Sequence, residues 1–135
     1  MGEKSLVEGQ ITDAIELVKH LDTYNIKPVF VAWYYYEDAD EWRLLLASYE
    51  LDKYMPRDEA LAYKEISEAI TSTNIQSLSI SHIKILKTSN ALVKSLSFLI
   101  GTPKDSIIRA NFSNTTINGV FIKEMVILRS ALNEP

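Results

Sequence analysis

The chain of 135 residues contains no cysteine. That absence removes disulfide frameworks, cysteine-type zinc sites and thiol nucleophiles, and it suits a reducing compartment, the cytoplasm by default. Glycine is scarce. The four present, Gly2, Gly9, Gly101 and Gly119, stand apart from one another, so neither a Walker loop nor a dinucleotide fingerprint can be drawn and no nucleotide cofactor is expected. There are only two histidines, His20 and His82, with no paired spacing for a metal site. A surplus of positive charge is missing too: 14 Lys plus Arg stand against 18 Asp plus Glu, a net charge of −4. No field collects phosphate backbones, and nucleic acid is not expected as a partner. No apolar run reaches the ~20 residues that cross a bilayer, and no apolar signal core follows Met1, so no membrane partner is expected. Asn111-Phe112-Ser113 and Asn114-Thr115-Thr116 read as glycosylation sequons, which have no meaning without secretion.

What is present is an ordinary globular composition, 47% hydrophobic and 24% charged. At this length roughly two-thirds of the unfolded surface becomes buried, which predicts one core and a single domain over 1–135, with Asn133-Glu134-Pro135 frayed. Leu6, Val7, Ile11, Ala14, Ile15, Val18 and Leu21 recur at helical steps, predicting a first helix that ends near Tyr24-Asn25. From Val29 the pattern turns to β-branched and aromatic residues, then to Glu37-Asp38-Ala39-Asp40, then to Glu41-Trp42-Arg43-Leu44-Leu45-Leu46-Ala47-Ser48-Tyr49. Two strands around an acidic turn make a hairpin that pairs Tyr36 with Glu41, Tyr34 with Arg43 and Trp33 with Leu44. Alternation assigns Val29, Val31, Trp33, Tyr35, Trp42, Leu44 and Leu46 to a core face. It assigns Phe30, Ala32, Tyr34, Tyr36, Glu41, Arg43, Leu45 and Tyr49 to the other.

Pro56, Asp58 and Glu59 announce a second helix that fades at Thr71-Ser72-Thr73-Asn74. Leu78–Lys87 reads as a strand. A third helix runs from a Thr88 or Ser89 cap to Gly101. Ile107–Phe112 and Val120–Arg129 read as strands, joined either by one long loop or by a tight Asn118-Gly119 turn with extra pairing before it. The order α-β-β-α-β-α-β-β predicts an α+β two-layer sandwich: a largely antiparallel sheet of about five strands with helices on one face.

Three residue groups carry candidate chemistry. Tyr34, Tyr36, Arg43 and Tyr49 share the aromatic face of the hairpin, a composition suited to stacking, cation–π contact and interface hot spots. They point to a non-enzymatic interaction or accessory protein whose partner is another protein, most simply a second copy; the competing expectation is that the first helix covers this face. The acidic turn offers Asp38, Asp40 and Glu41 to a hard divalent cation, the basis of an alternative reading as a metal-dependent hydrolase or nuclease. Asp22 with Glu41-Trp42-Arg43 imitates a nuclease pattern with Arg where a tunable Lys belongs. Otherwise no cofactor is expected. Arg109, Asn111 and Asn118 gather guanidinium and amide groups at strand ends and suggest a small anion-binding pocket, hence a small-ligand sensor. His82 follows Ser79-Ile80-Ser81, which on a strand puts both serines on the face opposite the imidazole.

Asp40-Glu41-Trp42-Arg43-Leu44 and Ile117-Asn118-Gly119-Val120-Phe121-Ile122 resemble segments of a family of small bacterial proteins to which no activity is assigned. The resemblance spans most of the chain from the first strand onward. It implies a bacterial cytoplasmic setting and carries no catalytic residue.

Overall fold

The computed structural model describes residues 6, 8–24 and 26–132. The expected fraying of 133–135, and the parts of the first-helix expectation that fall on Val7 and Asn25, lie outside them. The fold is an α+β sandwich on a five-stranded sheet of order β3-β2-β1-β5-β4. In chain order its elements are α1 (Glu8–Asp22), β1 (Phe30–Tyr36), β2 (Glu41–Ala47), α2 (Tyr49–Asp52), α3 (Glu59–Ser72), β3 (Ile83–Ile85), α4 (Ala91–Leu96), β4 (Ala110–Ile117) and β5 (Val120–Ser130). A 3₁₀ turn over Ile80–His82 precedes β3. The β2–β3 pair is parallel and the other three ladders are antiparallel.

The hairpin register is the one the sequence predicts: Tyr36 opposite Glu41, Tyr34 opposite Arg43, Trp33 opposite Leu44. Val31, Trp33, Tyr35, Trp42, Leu44 and Leu46 pack with Ile11, Leu17 and Leu21 of α1 and with Ala62 and Ile66 of α3 in a first core. On the opposite side Phe30, Ala32, Tyr34, Leu45 and Ala47 form a second core under Val93 and Leu96. The sandwich therefore carries α1, α2 and α3 on one face and the six-residue α4 on the other, so the helices are not confined to one face as expected: Phe30, Ala32 and Leu45 make the second face apolar too, and it needs cover. The coverage is unequal. Among the described residues the first core has 21 buried hydrophobics and 9 partly buried ones packed against them; the second has 10 and 11.

Several boundaries shift for local reasons. Tyr49 does not prolong β2: Ser48 accepts a hydrogen bond from the Glu50 N–H at 3.1 Å and opens α2, as an N-cap serine does. β3 shrinks to three residues because the Ser79 N–H donates to His82 Nδ1 at 3.1 Å and curls the preceding residues into the 3₁₀ turn. Asn90, rather than Thr88 or Ser89, caps α4, accepting from the Leu92 and Val93 N–H groups. Thr88 is occupied by Asp52, which accepts from both its N–H and its hydroxyl. The linker after Phe112 takes the hairpin alternative. Asn118 (φ 50°) and Gly119 (φ 80°) form the turn, the left-handed pair that a two-residue hairpin loop requires.

Two irregularities in β5 and its neighbours set side-chain directions. Asn114 has φ 48°, which Asn tolerates at low cost. Across it Ala110 and Phe112 on one side and Ile117 on the other all lie against the second core, although strict alternation would separate them. Between β1 and β5, Val31 lies opposite Arg129 while Ala32 lies opposite Ile127, leaving Leu128 as the extra residue of a bulge. Leu128 enters the first core, and Arg129, opposite the first-core residue Val31, turns to the same side. Arg129 is fully buried, at 0% exposure. Its terminal nitrogens each donate to one Asp22 carboxylate oxygen at 2.9 Å. Its Nε donates to the Ser106 carbonyl at 2.8 Å, and Nη1 also reaches the Pro28 carbonyl at 3.0 Å.

The sheet's two edges differ as well. On β3 the Ile83 N–H is taken by the Ile80 carbonyl and the Ile85 N–H by the Tyr63 hydroxyl at 3.0 Å, while the Leu86 N–H reaches inward to the Leu46 carbonyl. The outer donors of β3 are thus satisfied, a common protection of sheet edges. Tyr63→Phe leaves the Ile85 N–H without its acceptor, and we expect a stability loss of about 1 kcal/mol in urea unfolding; an unchanged midpoint would show that water replaces the hydroxyl fully.

Candidate functional site

The hairpin's second face divides along its length. At its centre Tyr34 is only 7% exposed, buried by the second core and not by α1, as the sequence allowed. Its ring meets Tyr36 edge-on at a centroid distance of 4.9 Å. Tyr49 is 54% exposed and donates to the Leu132 carbonyl at 3.1 Å. It lies beyond the Phe30–Ala47 end of the hairpin, about 20 Å from Tyr36 at strand spacing. The four residues grouped by the sequence therefore separate: Tyr34 supports the core, Tyr49 belongs to the opposite end, and Tyr36 and Arg43 remain together.

Those two open onto a cleft of about 370 Å³ at the turn end, lined also by Glu41, Tyr63, Ile83 and Lys84. Lys84, opposite the second-core residue Leu45, holds its ammonium 5.1 Å from the centre of the Tyr36 ring, a cation–π contact. Arg43 is steadied by Glu41, to which Nε donates at 2.8 Å, and by the Ser81 carbonyl at 2.9 Å. Sequence reasoning missed Tyr63 and Lys84, because only the parallel β2–β3 pairing and the docking of α3 bring them to the hairpin. Burial raises the Tyr36 phenol above its usual range, Arg43 works against that rise and Tyr63 adds to it. Burial, then Tyr36, raises Tyr34 likewise.

In the acidic turn three of the four carboxylates have separate partners within the chain. Asp40, at φ 50°, accepts from the Tyr35 hydroxyl at 2.6 Å, Glu41 holds Arg43, and Glu37 lies 3.9 Å from Lys123. Asp38 is exposed. Among the described residues no group of three or more His, Cys, Asp or Glu side chains is arranged to hold a metal ion. Asp22 does not join Glu41 either, since both its oxygens serve Arg129. The expected separation of Ser79 and Ser81 from His82 is overturned by the 3₁₀ turn: the two hydroxyls are 2.7 Å apart and Ser79 Oγ is 3.4 Å from His82 Nδ1. That nitrogen already accepts the Ser79 N–H, so the imidazole closes a turn.

A second cleft, of about 430 Å³, lies on the α1 side of the outer strands. Asn111 is opposite Val126 and Ser113 opposite Glu124, so the ladder presents these four in two adjoining rows. Leu6, Ile11 and Trp42 add apolar walls, and Arg109 stands at the rim. Arg109 and Asn111 thus line the same cleft. Asn118 does not; it is spent on the turn at the far end of β4. Both terminal nitrogens of Arg109 engage the Glu8 carboxylate on the first turn of α1, Nη2 at 2.9 Å. A further hollow, of about 460 Å³, separates α1, α2 and α3 around Tyr24, Lys53, Tyr54 and Glu65 and brings no matched set of polar groups together.

The hydrogen bonds from Arg109 hold the Glu8 carboxyl below the ordinary glutamate range, and the same contact raises the guanidinium. With its folded value depressed, Glu8 adds stability that is present above the ordinary glutamate pKa and lost as pH falls through the lowered one. A carboxyl-carbon NMR titration should place Glu8 below the usual ~4.3, and Arg109→Gln should return it there; an unmoved midpoint in the variant would deny the pair.

No protein-family model, curated protein sequence or solved structure matches the chain.

Proposed function

We propose that this is a non-enzymatic interaction protein of a bacterial cytoplasm, and that its partner is a second copy docking on the turn end of the hairpin. The observation that carries the reading is the row Tyr36–Arg43–Lys84, which crosses β1, β2 and β3 on one face beside an open cleft. Aromatic and Arg side chains around a partly desolvated hollow are the composition of interface hot spots. Lys84 has an aromatic neighbour but no carboxylate partner among the described residues.

Charge selects the occupant. The chain is acidic overall, and one strongly acidic exposed segment, Glu37-Asp38-Ala39-Asp40, adjoins this basic row. A two-fold contact sets the acidic turn of each copy against Arg43 and Lys84 of the other, so both complementary halves come from one patch. The sparse cover of the second core supports the same face, since its rim, Tyr36 included, keeps 11 hydrophobics partly exposed. No described helix is long and apolar enough to cross a membrane.

Sedimentation velocity should find a dimer at tens of micromolar. Arg43→Glu with Lys84→Glu should weaken the association at least tenfold while circular dichroism stays native, and adding Asp38→Lys to that double variant should recover part of the loss. A monomeric wild type at 100 µM, or an unaltered dimer in the double variant, would overturn the reading. Binding of Mn²⁺ or Mg²⁺ that Asp38→Asn abolishes would favour the hydrolase alternative instead.

A further inference from the structure

We infer that the cleft between α1 and the β4–β5 ladder is a binding site for a small zwitterion of amino-acid type carrying an apolar side chain. It lies on the face of the sheet away from the hairpin's basic row and does not depend on self-association. The cleft holds one fixed cation, Arg109, and one half-buried carboxylate, Glu124, with the Asn111 amide and Ser113 hydroxyl between them. Among the described residues Glu124 has no ion-pair or hydrogen-bond partner. The floor is apolar: Ile11 is 4% exposed, and Trp42 and Val126 are 8% each. A hollow with an apolar floor and a few convergent polar groups is the usual form of a small-molecule site.

The register spaces the charges. Arg109 immediately precedes β4, and Glu124 is opposite Ser113, so the two lie four residues apart along the ladder, roughly 13 Å of strand. Arg and Glu side chains are each long enough that together they can reduce that separation to the scale of a molecule with a carboxylate and an ammonium close together. Arg109 is the natural partner of the carboxylate because its fork takes both oxygens. Glu8 now occupies that fork. Both members of the pair are well exposed, at 44% and 69% of their side chains, and an exposed pair is weak enough to exchange. Glu8 is thus an internal occupant, placed by α1 where the ligand carboxylate docks, and a ligand must displace it. Glu124 takes the ammonium, and Ile11, Trp42 and Val126 take the side chain.

Calorimetric titration with L-tryptophan, L-phenylalanine and L-leucine tests this directly, with the amides and N-acetyl derivatives of the same amino acids as controls. At least one free amino acid should bind saturably. Its amide, which lacks the carboxylate, and its N-acetyl form, which lacks the ammonium, should not. Arg109→Gln and Glu124→Gln should each abolish binding with the circular dichroism spectrum unchanged. Glu8→Gln should tighten binding about two- to fivefold, the release expected from one exposed ion pair; a merely structural Glu8 would leave the affinity unmoved or weaken it. The proposal fails if none of the three amino acids saturates, if the blocked derivatives bind equally well, or if Glu8→Gln does not tighten binding.

Discussion

A fully buried arginine holds this structure's layers together. Arg129 lies on the second strand from one edge of the sheet, yet it ties the last residue of α1, the Pro28 carbonyl before β1 and the Ser106 carbonyl before β4 to a single guanidinium. Burying such a charge costs several kcal/mol unless it is paired and hydrogen-bonded, and here four donated bonds meet that demand. Asp22 is otherwise poorly placed, since an acidic residue at a helix C-terminus opposes the helix dipole; Arg129 explains its presence. The bulge at Leu128 is what permits the arrangement, because strict alternation from the second-core residue Ile127 through Leu128 would point Arg129 to the second core.

The consequences run along α1. Fixing its C-terminal end on β5 sets how its first turn lies against β4, and so positions Glu8 over Arg109 at the mouth of the outer cleft. The same helix completes the first core with α3. The second core has no equivalent and relies on a six-residue helix and the loop after it. The sheet's faces therefore do different things. One carries three helices and the outer cleft, and the other stays thin and ends in the Tyr36–Arg43–Lys84 row.

The hairpin and its register were legible because they depend on local signals: β-branched and aromatic runs, an acidic turn and strict alternation. The α+β class followed from the order of such signals. What was not legible depends on contacts distant in sequence or on one residue of irregularity. Nothing around Leu128 marks a bulge, so Arg129 read as the end of a strand and Asp22 as part of an imitated nuclease pattern with Glu41 and Arg43. α2 was hidden because Ser48-Tyr49-Glu50 continues an apolar strand, and only the cap hydrogen bond ends it. Of the candidate groups, polarity at a strand end singled out Arg109 and Asn111, which line one cleft, while the Glu8 that pairs with Arg109 and the Glu124 that lines the same cleft required the fold. Tyr34 shows the opposite error: alternation placed it on the aromatic face, but could not show that α4 and β5 would cover it.

A double-mutant cycle on the pair that fixes α1 to β5 tests the account at its root. Unfolding free energies of the native chain, Asp22→Asn, Arg129→Met and the double variant should give a coupling of at least about 2 kcal/mol, as expected of a bidentate pair with one fully buried member. A coupling below about 0.5 kcal/mol, the range of ordinary surface pairs, would contradict the claim that Arg129 holds the layers together.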